Sequence, residues 1–571
     1  MCGISGVWST RPLAPIDLDS ALQAMIRCQT LRGPDAEGLW EGDSIRIGHN
    51  RLAIIDPENR LADQPLETKR FVLSFNGEIY NYRALKADLK ALDVPFTTQS
   101  DTEVLLKAID FWGVEGALDR VNGIFAFAVY DKKERLLWIV RDRLGVKPLY
   151  YRHQNGVFWF ASNPAAIVQA DLRASWQLDR SALFDFFELG APNGARTLFR
   201  HINRVLPGEL VRITLDGAVR RSRYWTPQFR DNSVEESIER ACRLQREAHV
   251  PSALFLSGGV DSTVMSCFLD DLDFFHLDSP ERKYAEYVAE KSRKSLVVSA
   301  FSSSLEFEDL NDRYVKFSGE PSGSAPIPML ISKAMHSSGY KVAFSANGAD
   351  ELFFGYPRTP APELSKGNLP SSVFEVPPAS THMEQRNHIF RTPGCFFIPG
   401  TKVEDRTWER DLVTLDSGFP ASAHNRWFEL QTYVAFDLNA TLDFASMAYS
   451  LEVRVPFLDH ELVESALSKR ADEFICCDYG RKAPLKKVLK KHGMSPLLWY
   501  RPKIGFSVPR KILQRRRKQL DQALFKLAEE DYLKLGPGFR RGSRDHQYLA
   551  AAAHSFLAWK SEWIDSGVVS P

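Results

Sequence analysis

The sequence has no marked charge excess, no membrane-length apolar run and no C-x-x-C spacing, and each absence removes a class of protein. Its 73 Lys and Arg are balanced by 72 Asp and Glu, a formal net charge of +1. Nothing global therefore draws it to nucleic acid or an anionic membrane. No window approaches the roughly 18 uninterrupted apolar residues of a spanning helix, and no basic segment followed by a long apolar run opens the chain. The expectation is a cytoplasmic protein with no nucleic-acid or membrane partner. The seven cysteines (Cys2, Cys28, Cys242, Cys267, Cys395, Cys476 and Cys477) are sparse, odd in number and without C-x-x-C spacing. That argues against a disulfide framework and against a zinc site.

What is present is enough apolar residue, 44% of 571, for two or more cores. Up to about residue 215, short β-type runs alternate with turns: IRIGHNRLAIID, FVLSFNGEIYN, IFAFAVYD, RLLWIVRD, GVFWFAS and LPGELVRITLDG. Valine, isoleucine and aromatics bounded by Gly, Asn and Asp predict a strand-rich α+β domain. Helices are predicted over LDSALQAMIRCQTLR and DTEVLLKAIDFWG, where apolar residues recur at three- and four-residue steps. A polar stretch near residues 220–235 marks the boundary. Beyond it helical patterns flank short apolar runs, SALFLSGG and YKVAFSANG, the signature of a parallel α/β sheet. Pro357 to Pro378 holds six prolines and reads as a loop at the mouth of the second domain. Helices then dominate to the C-terminus.

The chain opens MCGISGVWST. A small residue in second position permits removal of the initiator Met, which would give Cys2 a free α-amine with a pKa of about 7.7–8.0, a base beside its own thiol. Three stretches accompany it: RGPD at Arg32–Asp35, NRLAIID at Asn50–Asp56 and FNGEIYN at Phe75–Asn81, with SDTEV at Ser100–Val104. Alone, each reads as a turn or a surface charge. Together behind MCG they resemble the class II glutamine amidotransferases, whose N-terminal Cys hydrolyses glutamine. The resemblance implies layered antiparallel sheets of the N-terminal-nucleophile type. It also implies Cys2 as nucleophile and Asn76 with the Gly77 N–H as oxyanion hole. Arg51, with Leu52, Ala53, Ile54 and Ile55, would bind glutamine at its α-carboxylate end. Glu78 and Asp101 would receive the α-ammonium.

A second chemistry lies in SALFLSGGVDSTVMSCFL, Ser252–Leu269. An apolar run leads into Ser257, Gly258, Gly259, Val260, Asp261 and Ser262, then a helical pattern. Two glycines let the backbone approach a phosphate, serines donate hydrogen bonds, and a helix N-terminus supplies oriented N–H groups. Asp261 is a candidate Mg²⁺ ligand. No GK[ST] follows, so this is not a Walker A loop. It resembles the loop of ATP pyrophosphatases, which activate carboxylates as acyl-adenylates. FSANGADELFFGY (Phe344–Tyr356), SMAYSLEVRVPFLDH (Ser446–His460) and RPKIGFSVP (Arg501–Pro509) extend the likeness, so the chain resembles the glutamine-hydrolysing asparagine synthetase family along nearly its full length.

That resemblance implies a glutaminase domain over 1–220 and an α/β ATP-pyrophosphatase domain over 235–571, and a homodimer is a further possibility. It implies ATP as substrate, Mg²⁺ on Asp261 and Asp350, and Lys503 neutralising the phosphates. Leu256, Ser257, Gly258, Gly259, Asp261, Ser262, Leu277, Ser345 and Ala346 would line the nucleotide site, Leu277 being equally readable as core. The expected partners are L-glutamine, ATP and a small carboxylic acid, aspartate by default. One departure stands out: where the family carries an acidic residue in S-G-[DE]-G-x-D-E, this chain has Asn347 after Ala346. An amide cannot titrate as a carboxylate does. A different acid acceptor, or a weakly active regulatory homologue, is therefore the alternative.

Overall fold

The computed structural model describes residues 2–10, 16–356, 396–399, 408–501, 510–536 and 539–571, with backbone alone at 397, 510–515 and 544–545. The proline-rich stretch from Pro357 to Pro378 lies outside them.

The first region is built on two six-stranded sheets, each antiparallel in its pairings. One runs in the order Asn203–Arg204, Tyr150–Gln154, Val157–Ala161, Gly3–Ser9, Ile45–Arg51, Ala36–Glu41. The other runs Val219–Arg223, Glu209–Ile213, Leu136–Arg141, Gly123–Asp131, Phe71–Ile79, Leu66–Glu67. Alternate side chains of the two sheets meet in one core: Ile4, Trp8 and Ile47 from the first, Val72, Ala128 and Ile139 from the second. Strand Gly3–Ser9 is buried on both faces, because helix Leu18–Cys28 covers its outer side with Leu22, Met25 and Ile26. Asp17 caps that helix by accepting the N–H groups of Asp19 and Ser20.

One expected strand ends early, and one expected helix breaks at the glycine that closes its sequence run. The strand anticipated through IRIGHNRLAIID stops at Arg51, and Leu52 to Ile55 form a buried loop. Apolar content alone does not distinguish a strand from a loop packed into a pocket wall. Helix Asp101–Leu118 is broken at Gly113, where φ is 76°, a conformation glycine adopts without a Cβ penalty.

The second region carries a five-stranded parallel sheet in the order Leu296–Ser299, Asp273–Leu277, Ser252–Phe255, Val342–Phe344, Glu452–Arg454. Its central strands are short apolar runs buried on both faces, as helices on either side require. From Ser252–Phe255 the chain winds outward to one edge, then returns to Val342–Phe344 on the other side. That reversal opens a crevice at the carboxyl ends of these two strands, where the segments beginning at Ser257 and Ser345 emerge. The chain's last strand, Val569–Ser570, pairs in parallel with Trp176–Gln177 of the first region. Phe199 meets Trp559 and Trp563 beside it. No periodicity announces this long-range closure. Among the described residues, no helix is long and apolar enough to cross a membrane.

Candidate active sites

The antiparallel register pairs Gly3 with Asn50, so Cys2 lies opposite Arg51 at the sheet's end. Cys2 is buried, and its backbone nitrogen donates to Asn76 Oδ1 at 2.8 Å. Asn76 belongs to strand Phe71–Ile79 of the other sheet, so this bond joins the two layers. Asn76 Nδ2 is buried with no hydrogen-bond partner. A buried N–H left unpaired costs on the order of 1–3 kcal/mol, and this one, on the same amide whose oxygen holds the Cys2 nitrogen, is a donor waiting for an acceptor. Gly77 follows with φ 151°, and a Cβ there would lie 2.1 Å from the Ile124 carbonyl; only glycine permits this strand approach. Burial pushes the Cys2 thiol up, while a hydrogen bond from the Leu52 backbone opposes it. Arg32 of RGPD donates through Nε to the Cys2 carbonyl at 3.0 Å.

The remaining glutamine-site candidates gather around this point. Arg51 donates to Asp63 at 2.7 Å and to the carbonyl of Asp56 at 2.9 Å, which folds the Leu52–Ile55 loop back over its guanidinium. Glu78 and Asp101 are both buried. Asp101, in the first turn of its helix after the Ser100 cap, accepts the Ile79 N–H at 2.9 Å, tying it to the residue after Glu78. Burial lifts the Asp101 carboxyl to about 6. Glu78 is held well above the usual carboxylate range, first by burial and then by the charge of Glu452, with Arg454 opposing.

The second site forms where Ser252–Phe255 ends. Ser257 Oγ lies 2.9 Å from Ser262 Oγ and accepts the Gly259 N–H at 3.1 Å. Gly258 adopts φ 78°, and helix Val260–Phe268 begins directly after Gly259 with Asp261 in its first turn. This is a turn of backbone donors aimed along a helix axis, suited to phosphate. Leu256 and Leu277 are fully buried, and the Leu256 backbone is already engaged, its N–H donating to the Phe275 carbonyl at 2.8 Å and its carbonyl lying 2.8 Å from His276 Nδ1. Ser345 follows the neighbouring strand, and its Oγ donates to Asn347 Oδ1 at 3.0 Å; Ala346 lies between them. Lys503 falls outside the described residues. Arg501, at the head of the same RPKIG string, donates to the Gly258 carbonyl at 2.8 Å and stacks 3.9 Å over Tyr284.

Between the two carboxylates named for Mg²⁺ sits a residue the motifs did not single out. Lys482 Nζ lies 2.6 Å from Asp261 and 2.5 Å from Asp350. Its φ of 61° is the left-handed region that a long side chain seldom occupies. It also stands at the N-cap of helix Ala483–Lys491, where the dipole disfavours a cation. Burial opposes its charge too, but Asp261 and Asp350 outweigh burial and hold the ammonium well above the ordinary lysine range. Gly355 makes room for the pair: a Cβ there would lie 1.9 Å from Asp350 Oδ1. The glycine turn and helix start in GRKAP were the available signal. Lys486, one turn on, is lowered to about 8 by burial and by Lys482. The two carboxylates fit Mg²⁺, which characteristically takes one or two carboxylates and leaves its other positions to phosphate oxygens and water. No group of three or more His, Cys, Asp and Glu placed to hold a metal ion occurs among the described residues.

Two stacked antiparallel sheets bearing a buried thiol at the chain's start, continued by a parallel sheet with a Ser-Gly-Gly phosphate-type loop, define a two-site glutamine amidotransferase joined to an ATP-pyrophosphatase fold. The family of glutamine amidotransferase domains matches residues 1–225 and the asparagine synthase family matches residues 233–564. The chain belongs to the asparagine synthase family. It is 29% identical to asparagine synthetase [glutamine-hydrolyzing] 1 of Bacillus subtilis over 89% of this chain and 87% of that one. It is 27% identical to a putative asparagine synthetase [glutamine-hydrolyzing] of Mycobacterium tuberculosis over 97% and 95%. A relative named Amidase chry2 from Gibberella zeae is 25% identical over 81% and 82%.

Proposed function

We propose that the protein is a glutamine-hydrolysing, ATP-dependent, amide-forming ligase with aspartate as acceptor, its glutaminase part spanning 1–220 and its synthetase part 235–571. The observation that carries the reading is Asn76: its Oδ1 engages the Cys2 nitrogen while its Nδ2 is buried and unpaired. Once Met1 is removed, that nitrogen is an amine able to take the thiol proton. The thiolate adds to the glutamine side-chain amide, the tetrahedral oxyanion takes the Asn76 Nδ2 and Gly77 N–H donors, and ammonia leaves a glutamyl thioester that water hydrolyses to glutamate. Arg51 holds the α-carboxylate, and Glu78 with Asp101 the α-ammonium.

In the second site the acceptor carboxylate attacks the α-phosphorus of ATP, forming an acyl-adenylate and releasing pyrophosphate. Ammonia then displaces AMP to give the amide. The Ser257–Ser262 turn holds the phosphates, and Asp261 and Asp350 would hold Mg²⁺, which when bound neutralises phosphate charge. Lys482 and Lys503 supply cations to the same phosphates.

Asn347 favours a second reading, in which the acceptor is another small acid. The deciding experiment incubates the protein with glutamine, ATP, Mg²⁺ and a panel of carboxylic acids, scoring pyrophosphate release and product mass. Aspartate-dependent pyrophosphate with asparagine as product supports the first reading. Release driven by a different acid, with aspartate inert, supports the second. No acid-dependent release contradicts both.

A further inference from the structure

Arg454 touches both candidate sites at once. Its side chain is fully buried. Its backbone belongs to strand Glu452–Arg454, paired with Val342–Phe344 so that Phe344 faces Arg454. Its carbonyl accepts the N–H of Ser345 at 2.9 Å, the first residue of the proposed nucleotide loop. From the same residue the guanidinium reaches out of the synthetase region. Nε donates to Glu452 at 2.7 Å, and Nη1 donates to the carbonyls of Gln245, at 2.6 Å, and Glu247. Nη2 lies 3.3 Å from Glu78 Oε1, in the glutamine pocket.

These contacts are unequal. Three are hydrogen bonds to groups of Arg454's own region, two of them at the end of helix Val234–Gln245. The fourth crosses to the other region, and Nη2 makes no hydrogen bond there although it is buried. A guanidinium is a rigid planar fork, so a shift of the strand rotates the whole fork. The arm with slack is the one toward Glu78. A second carboxylate, Glu452, keeps the cation in place and is itself held ionised: burial opposes its charge, yet the N-terminal ammonium first, then Arg454 and Lys147, hold its carboxyl below the usual range.

We propose that Arg454 is a positioning residue that couples the two sites: nucleotide on the Ser345–Asn347 loop closes the Arg454–Glu78 contact, and the oriented Glu78 carboxylate then binds glutamine more tightly. The inference rests on the function proposed above. A coupling of this kind is reciprocal, and tighter glutamine binding entails tighter nucleotide binding by the same factor.

The test measures the KM and kcat of glutamine hydrolysis with and without α,β-methylene ATP and Mg²⁺, a probe that occupies the loop without turnover. In the parent, the probe lowers the KM for glutamine by about fivefold or more with little change in kcat. Arg454→Lys keeps the charge but cannot span all four partners, and it removes that shift. Ammonia-dependent pyrophosphate release by the same variant reports that it is folded; should it be lost, Glu452→Gln, which loosens the fork without removing it, carries the comparison and shows a reduced shift. A parent KM indifferent to the probe, or a shift fully kept in the variants, overturns the coupling. A parent that hydrolyses no glutamine at all overturns the functional reading instead.

Discussion

Lys482 Nζ stands 2.6 Å from each carboxylate oxygen of Asp261, so the phosphate-type loop and a lysine far along the chain form one charged centre. Asp350 completes it at 2.5 Å. The three groups are mutually dependent: each is partly or wholly buried, and removing the lysine takes away the cation shared by both carboxylates.

Lys482→Met is therefore expected to lose acid-dependent pyrophosphate release by about 100-fold or more, with glutamine hydrolysis in the absence of ATP unchanged. The free variant should also be less stable, by about 3–5 kcal/mol if the two carboxylates stay buried and charged. Denaturant titration of parent and variant measures this. Unchanged pyrophosphate release in a folded variant would remove Lys482 from the site.

Cys2→Ala should abolish glutamine hydrolysis while synthesis from added ammonium persists. Asn76→Ala should lower the kcat of hydrolysis by about 10²–10³-fold, again sparing ammonium-dependent synthesis. Intact mass of the active protein should correspond to a chain starting at Cys2. Parent-rate hydrolysis by the Cys2→Ala variant would show that the thiol is not the nucleophile.

Asp101 supplies a pH dependence. Its carboxyl is lifted by burial to about 6, so the fold favours its protonated form. That contribution to stability is present below the unfolded value of about 3.9 and lost as pH rises through about 6. Glu452 runs the other way: its contribution is present above the unfolded value and disappears as pH falls toward about 2. For binding, an ammonium needs both Asp101 and Glu78 ionised, and burial raises both carboxyls, so kcat/KM for glutamine should fall toward acid along a limb steeper than one proton, with the Asp101 part near pH 6. Asp101→Asn should make that limb shallower while lowering the plateau. A profile of the same shape in parent and variant would exclude Asp101 as one of its sources.

Asn347 is the specificity residue to test. With aspartate as acceptor, Asn347→Asp should keep or raise asparagine formation measured with ammonium in place of glutamine. Aspartate inert in both proteins would point to a pocket reshaped for another acid, since one carboxylate does not rebuild recognition of both ends of a substrate.

The Cys2 pocket is legible in the sequence because its members lie in short contiguous strings, and the register of strands Gly3–Ser9 and Ile45–Arg51 brings two of those strings side by side. The Ser-Gly-Gly turn is legible because glycine, serine and a following helix are a local device. Lys482 is not, because it lies 221 residues from Asp261 at the N-cap of a basic helix whose charges look solvated. Arg454 is hidden for a related reason. Its strand reads Glu-Val-Arg, and buried charges at a sheet edge have no hydrophobic period to reveal them. The pairing of Trp176–Gln177 with Val569–Ser570 is a contact of tertiary packing with no local signal.

The central claim is that ATP activates a carboxylate by adenylation for attack by glutamine-derived ammonia. Its most direct test is the mass spectrum of the nucleotide product after turnover with aspartate carrying heavy oxygen in its carboxylates. Adenylation followed by aminolysis passes one carboxylate oxygen to the nucleotide, so AMP bearing a single heavy oxygen, with unlabelled pyrophosphate, is the expected result. ADP with labelled inorganic phosphate would mean an acyl-phosphate route and would contradict the account.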